Sequence, residues 1–166
     1  DMWETAQAWR TALQRKSGPT AIVLTRQKLP EINRALAGGT AQGAYIIVDV
    51  EDPQLVLIGT GSEVHIALAA QESLVATGIR ARVVSMPSWA LFEATPQAYQ
   101  DQVLPPSLTA RVAVEAGCRL GWERYVGREG VVIGIDRFGT SGPYEEVYAA
   151  LGVTAEAVVA AAKELI

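Results

Sequence analysis

Apolar residues along the chain follow two alternating rhythms, and their alternation predicts the architecture. Met2, Ala6, Trp9 and Leu13 recur at helical spacing until Gly18-Pro19 interrupts them, and the β-rich run Ala21-Ile22-Val23-Leu24 follows. One helix and one strand cannot bury both their faces alone, so residues 1–28 read as the end of a preceding α/β domain. Residues 29–43 hold Pro30, Gly38, Gly39 and Gly43 among short alanine-rich pieces, the composition of a surface linker. From Ala44 onward strands are predicted at 45–50, 55–59, 81–85, 110–114 and 131–135, with helices between most of them.

Val64, Ala67, Leu68 and Val75 mark one apolar face of the helix after Gly61, and Gly78 stands where a left-handed cap would close it. Thr60 and Glu63 have the spacing of a capping box, with Ser62 as the alternative cap. Shorter helical pieces are expected at 96–103 and 121–126, and Thr154 is placed to cap a final helix bearing Val158, Val159, Ala162 and Leu165 on one side. Apolar strands spaced by helices require both faces of a largely parallel sheet to be covered. The expected fold is a three-layer α/β/α domain, residues 44–166, with a mixed, mostly parallel sheet of about five strands. Only Glu51-Asp52-Pro53-Gln54 separates the first two strands, too short for a parallel crossover, so those two are expected to pair as an antiparallel hairpin.

Composition narrows the class. At 166 residues, 49% hydrophobic and 19% charged, the chain has material for one ordinary core. Its longest apolar runs fall well short of the roughly 18 to 20 residues that span a bilayer. Residues 1–10 lack the basic start and apolar stretch of a secretory signal. A net charge of -4 with interspersed signs offers no basic surface for nucleic acid. A single cysteine and a single histidine exclude an internal disulfide and a cysteine–histidine metal cluster, and a cytoplasmic setting is expected. Because Asp1 precedes Met2, the sequence is also expected to start inside a longer polypeptide.

Candidate chemistry divides into motifs with a plain explanation and one residue without. Gly59-x-Gly61-x-x-Val64 joins a strand to a helix, where amides and the helix dipole can hold a phosphate, but the third glycine and the ribose-binding acid are missing, which favours an ordinary tight turn. Gly139-Thr140-Ser141-Gly142-Pro143 precedes another helix, with Pro143 suited to its first position and Ser141 to its cap. Ser85, Glu115, Asp136 and Arg137 lie near strand ends, where α/β ligands usually sit, and two carboxylates there can share acid and base work; ion pairing or loop capping is the commoner use. His65 has no second histidine nearby and reads as a helix residue, Cys118 as a buried small apolar group, and Trp3, Trp9, Trp89 and Trp122 as core or interface anchors. Arg26 stands apart: it follows the run 21–25 at its carboxyl end, where a guanidinium fork can clamp a phosphate.

Several ordered segments resemble the transketolases. Residues 1–9, especially Glu4-Thr5-Ala6 and Trp9, resemble the last helix of the transketolase pyrimidine-binding domain, and residues 18–27, ending Thr25-Arg26-Gln27, resemble the strand and arginine that follow it. Gly59-Thr60-Gly61-Ser62-Glu63-Val64, the run from Val83 to Ser88, the run from Thr109 to Gly117, and Phe138-Gly139-Thr140-Ser141-Gly142-Pro143 are similar to the carboxy-terminal domain. The resemblance implies a homodimeric parent enzyme that moves a two-carbon ketol unit from a ketose phosphate to an aldose phosphate, in the pentose phosphate pathway or the Calvin cycle, using thiamine diphosphate with Mg or Ca. It implies that Arg26 contacts the sugar phosphate. It assigns no catalytic, cofactor or metal residue to this chain, because those groups belong to earlier domains of the family. The fragment is then expected to be structural, dimer-supporting or regulatory and inactive alone. A free-standing α/β module binding a small anion or nucleotide is the rival expectation.

Overall fold

The computed structural model describes residues 1–32 and 37–166; residues 33–36, within the expected linker, lie outside the described residues. Strands β1 (Tyr45–Val48), β2 (Leu55–Gly59), β3 (Ala81–Ser85), β4 (Arg111–Val114) and β5 (Val131–Ile133) form one sheet in the order β1-β3-β2-β4-β5. β2 pairs in parallel with β3 and β4, and β4 with β5. β1 runs antiparallel to β3 at the edge.

The sheet is mixed, as expected, but its antiparallel pair is a different one. The hairpin between β1 and β2 does not form, because β3 lies between them. Burial decides the arrangement: Leu55, Val56, Leu57 and Ile58 are all fully buried, each worth about 1.5–3 kcal/mol, so β2 takes the centre with a parallel neighbour on either side. β1, half-buried beyond Tyr45, goes to the edge. The connection manages the step across β3 because strands lie only about 4.8 Å apart. Arg80 fixes it, donating from Nε to the carbonyls of Glu51 and Asp52, at 3.2 and 2.9 Å.

The helices are α1 (Met2–Gln14), α2 (Val64–Val75), α3 (Trp89–Glu93), α4 (Gln97–Val103), α5 (Glu123–Val126), α6 (Tyr144–Leu151) and α7 (Ala155–Glu164). Side chains of successive strand residues point to opposite faces, so Leu55, Leu57, Val83, Val112 and Val114 meet Ala67, Ala70 and Leu74 of α2 and Val158 and Ala162 of α7. Val56, Ile58, Val84 and Ala113 meet Phe92, Val103, Tyr125 and Val126 on the other face. This is the three-layer α/β/α stack. Gly78, at φ +81, turns the chain after α2 while the Ile79 amide donates to the Leu74 carbonyl at 3.1 Å. Thr154 Oγ1 caps α7 by accepting from the Ala157 amide at 3.2 Å.

The first 28 residues behave differently. Helix α1 forms where expected, yet it turns Met2, Trp9 and Leu13 outward, Leu13 with 79% of its surface exposed, and buries Glu4. No strand forms at 21–24; Val23 is 93% exposed. An isolated extended segment has no ladder to satisfy its amides and carbonyls, so the β-rich composition there does not yield a strand without neighbouring strands.

The β2–α2 junction depends on Gly59: a Cβ there would stand 2.7 Å from Val64 Cα and 2.9 Å from Val64 N, backbone that cannot swing aside. Gly59→Ala is expected to destabilise the fold by about 1–3 kcal/mol. Urea denaturation checks this, with Gly139→Ala as control, since a Cβ at Gly139 meets nothing within 4 Å.

Candidate functional site

The parallel register sets Gly59 beside both Ser85 and Val114, and Val114 beside Ile133, so the residues that follow these four leave the sheet at one end. The chain turns to opposite sides of β2 as it enters β3 and β4, which makes the gap between the ends of β2 and β4 the crevice where open α/β sheets usually bind ligands. That gap holds a carboxylate of the chain itself. Glu63, only 4% exposed, accepts from the Ala116 amide beyond β4 through Oε2 at 3.0 Å. Its Oε1 accepts from Ser62 Oγ at 2.6 Å and from the Tyr148 hydroxyl of α6 at 2.7 Å. The capping box expected of Thr60 and Glu63 is therefore absent: Thr60 makes no side-chain cap, and Glu63 reaches across to β4 instead. A phosphate at the Gly59-x-Gly61 turn would face this buried negative charge, so the turn serves close packing of β2 on α2.

A second buried carboxylate sits at the same sheet end. Glu4 Oε1 accepts from the Tyr45 hydroxyl at 2.8 Å and from Ser85 Oγ at 2.6 Å, and Oε2 accepts from the Asp1 backbone nitrogen at 3.2 Å. Burial, and then the neighbouring Glu4 charge, push the Tyr45 phenol well above its usual pKa. The Tyr148 phenol is raised for the same reasons, burial first and then Glu63. Both hydroxyls remain protonated donors to their carboxylates.

Residues 1–32 thus meet the sheet end at two places, through Glu4 beside β1 and β3 and through Gln27 beside β2 and β4. Gln27 Nε2 donates to the Tyr148 oxygen at 3.4 Å, and Gln27 Oε1 accepts from Thr25 Oγ1. Arg26 lies between these two in the chain and is exposed.

The remaining strand-end candidates are spoken for by separate partners. Glu115 accepts from Trp122 Nε1 at 2.5 Å. Asp136 accepts from the Arg119 amide at 3.0 Å and pairs with Arg119 Nε at 3.2 Å; the amide bond is the main cause that holds its carboxyl below the usual range. Arg137 donates to the Ala150 carbonyl at 3.4 Å. Ser85 serves Glu4. Cys118 is exposed, against the expectation of burial, because it lies in the loop beyond β4. Pro143 stands at the cap of α6 and not in its first turn, and no side chain, Ser141 included, caps that helix. Trp122 is fully buried and meets Trp89 edge to face at 5.1 Å, while Trp9 stays exposed. An open depression of about 420 Å³ borders Phe92, Arg124 and Tyr125 of the outer helical layer and Arg111 at the start of β4, away from the carboxyl ends of the strands. Among the described residues no three His, Cys, Asp or Glu side chains gather as a metal would require, and no helix is long and apolar enough to cross a membrane.

Pattern reading missed two long-range pairs, Glu4 with Tyr45 and Gln27 with Tyr148. Nothing in the spacing of an acid in a first helical turn or a tyrosine within a later helix marks them as partners.

Removing the Glu4 carboxylate strands two buried hydroxyls, so Glu4→Ala is expected to cost about 2–4 kcal/mol in thermal unfolding, and Glu4→Gln less, because an amide oxygen still accepts. His65 gives a pH signature: Nε2 is buried with no hydrogen-bond partner among the described residues, and burial chiefly holds the imidazole below its ordinary 6.5. The folded protein then binds fewer protons there than the unfolded chain, so stability present above the unfolded value is lost as pH falls below it. Melting curves between about pH 7 and pH 5.5 should show a slope that His65→Leu flattens.

Comparison with known proteins places this geometry. The family described as transketolase-like TK C-terminal domain matches residues 43–154. A transketolase of Geobacillus stearothermophilus is 50% identical over 171 aligned residues, 100% of this chain and 26% of its own length. A transketolase structure from Leishmania mexicana superposes with a TM-score of 0.93 at 40% identity, over 99% of this chain and 24% of that one. A Pichia stipitis transketolase in complex with sedoheptulose-7-phosphate gives 0.91 at 32% identity, over 99% and 24%. The chain spans about a quarter of the length of the curated relatives it matches. On these matches the chain belongs to the transketolase family, with a transketolase-like C-terminal domain over residues 43–154.

Proposed function

We propose that this chain is the carboxy-terminal part of a transketolase that transfers a two-carbon ketol unit from a ketose phosphate to an aldose phosphate, and that its own contribution is a contact from Arg26 to the sugar phosphate. The observation that carries this is the end-to-end match: the whole chain, including residues 1–28, aligns at 50% identity with one transketolase. The Pichia stipitis neighbour, at 32% identity, is a complex with a sugar phosphate, which supports that class of substrate. In this reading residues 1–28 end the pyrimidine-binding domain, 29–43 are the linker and 44–166 form the carboxy-terminal domain. The outward-facing Met2, Trp9, Leu13, Val23 and Leu24 support it, since apolar surface of that kind calls for the rest of a parent chain to cover it. The parent works in the cytoplasm as a homodimer.

Thiamine diphosphate and a divalent cation supply the carbon–carbon chemistry in the parent. The residues of this chain do not fit either group: no acidic or histidine cluster is present among the described residues, and Glu63 fills the crevice at the strand ends with negative charge. In this reading those sites belong to other domains of the parent. The same carboxylate weighs against a free-standing anion-binding module, which would need that crevice open and neutral or positive.

Kinetics of the complete parent chain test the proposal. Arg26→Ala should raise KM for xylulose 5-phosphate by about 10- to 100-fold, as loss of a charge-assisted bidentate contact does, and leave kcat within about two-fold. An unchanged KM would remove Arg26 from the site, and turnover of xylulose 5-phosphate by the 166-residue chain alone with thiamine diphosphate would overturn the division of labour.

A further inference from the structure

We propose that Tyr148 and Gln27 are positioning residues for Arg26, so that the carboxy-terminal domain sets the geometry of the phosphate contact from outside the catalytic domains. The inference rests on the assignment of Arg26 made above.

Thr25 and Gln27 flank Arg26, and Gln27 is held at both ends of its amide, by Thr25 Oγ1 at the oxygen and by the Tyr148 oxygen at the nitrogen, 3.4 Å away. Tyr148 cannot move freely to follow it. Its hydroxyl is committed as donor to Glu63 Oε1 at 2.7 Å, and Glu63 is buried and tied to the Ala116 amide beyond β4 at 3.0 Å. The bonds run in one sense: amide to phenol, phenol to carboxylate. Each group uses the role its chemistry allows, so the polarity of the chain cannot be reversed. A bend on an otherwise unladdered segment is thereby referenced to the buried, doubly paired centre of the sheet. An exposed guanidinium has many rotamers; fixing the backbone on either side of it lowers the ordering cost that binding a phosphate must meet.

The test uses the complete parent enzyme with two donors, D-xylulose 5-phosphate and D-xylulose, which differ only in the phosphate. Tyr148→Phe removes the hydroxyl and keeps the ring. It should raise KM for the phosphorylated donor about 3- to 10-fold, the size of one or two neutral hydrogen bonds, with kcat within about two-fold and KM for D-xylulose unmoved. Gln27→Leu, at a half-buried position outside the core, should do the same and stands in if Tyr148→Phe fails to fold. On an Arg26→Ala background either change should add nothing, because the contact being positioned is gone. A raised KM in Arg26→Ala together with an unchanged KM in Tyr148→Phe and Gln27→Leu would overturn the positioning role and leave the Arg26 assignment standing. A loss that strikes both donors and kcat alike would also overturn it. No response in Arg26→Ala would take down the assignment and the inference together.

Discussion

A carboxylate buried at the crossing point of a parallel sheet constrains everything around it. Charge taken out of water is costly by several kcal/mol unless each oxygen is met by a donor, and Glu63 is met by an amide, a hydroxyl and a phenol. To satisfy it the chain must bring the turn after β2, the exit of β4 and the middle of α6 to one place. Those elements come from three separate parts of the sequence, so the group links the start of α2 with α6, whose Tyr148 and Leu151 pack on the same core as α2. Truncating it would leave the three donors without an acceptor, which is why its cost would exceed that of an ordinary surface acid.

Glu4 solves the same problem at the neighbouring strand ends, and the two acids together explain the posture of residues 1–32. The segment is fastened to the sheet end by polar bonds while Met2, Trp9, Leu13, Val23 and Leu24 face away. That is the reverse of how a terminal helix usually docks on its own domain, where the apolar stripe goes inward. Helix α1 buries its acid and exposes Trp9, which is the posture that the proposed place beside a further domain calls for. The end-to-end identity with a protein four times longer fits that shape.

Much of the domain was legible in the sequence because burial leaves a periodic trace. The strands centred on Leu57, Val83 and Val112, the cap at Thr154 and the turn at Gly78 all follow from local chemistry. Pairing order was not legible. The short link at 51–54 argues for a hairpin by length alone, whereas the sheet is decided by which strand is apolar on both faces, and Leu55 to Ile58 outcompete β1 for the centre. The run at 21–24 has strand composition but no ladder, since a strand is a property of its neighbours. Arg26 could be singled out as a residue type at a plausible place, yet its surroundings could not, because Tyr148 is brought to Gln27 only by the completed layers.

The separations involved have a temporal side. Ser85 lies 81 residues after Glu4, and Tyr148 lies 121 residues after Gln27. During synthesis at about 5–20 residues per second, the bond from Ser85 must wait some 4–16 s after Glu4 is made and that from Gln27 to Tyr148 some 6–24 s after Gln27. The segment bearing Arg26 is therefore made before the sheet and seated after it, and its final pose is inherited from a sheet that did not exist when it left the ribosome.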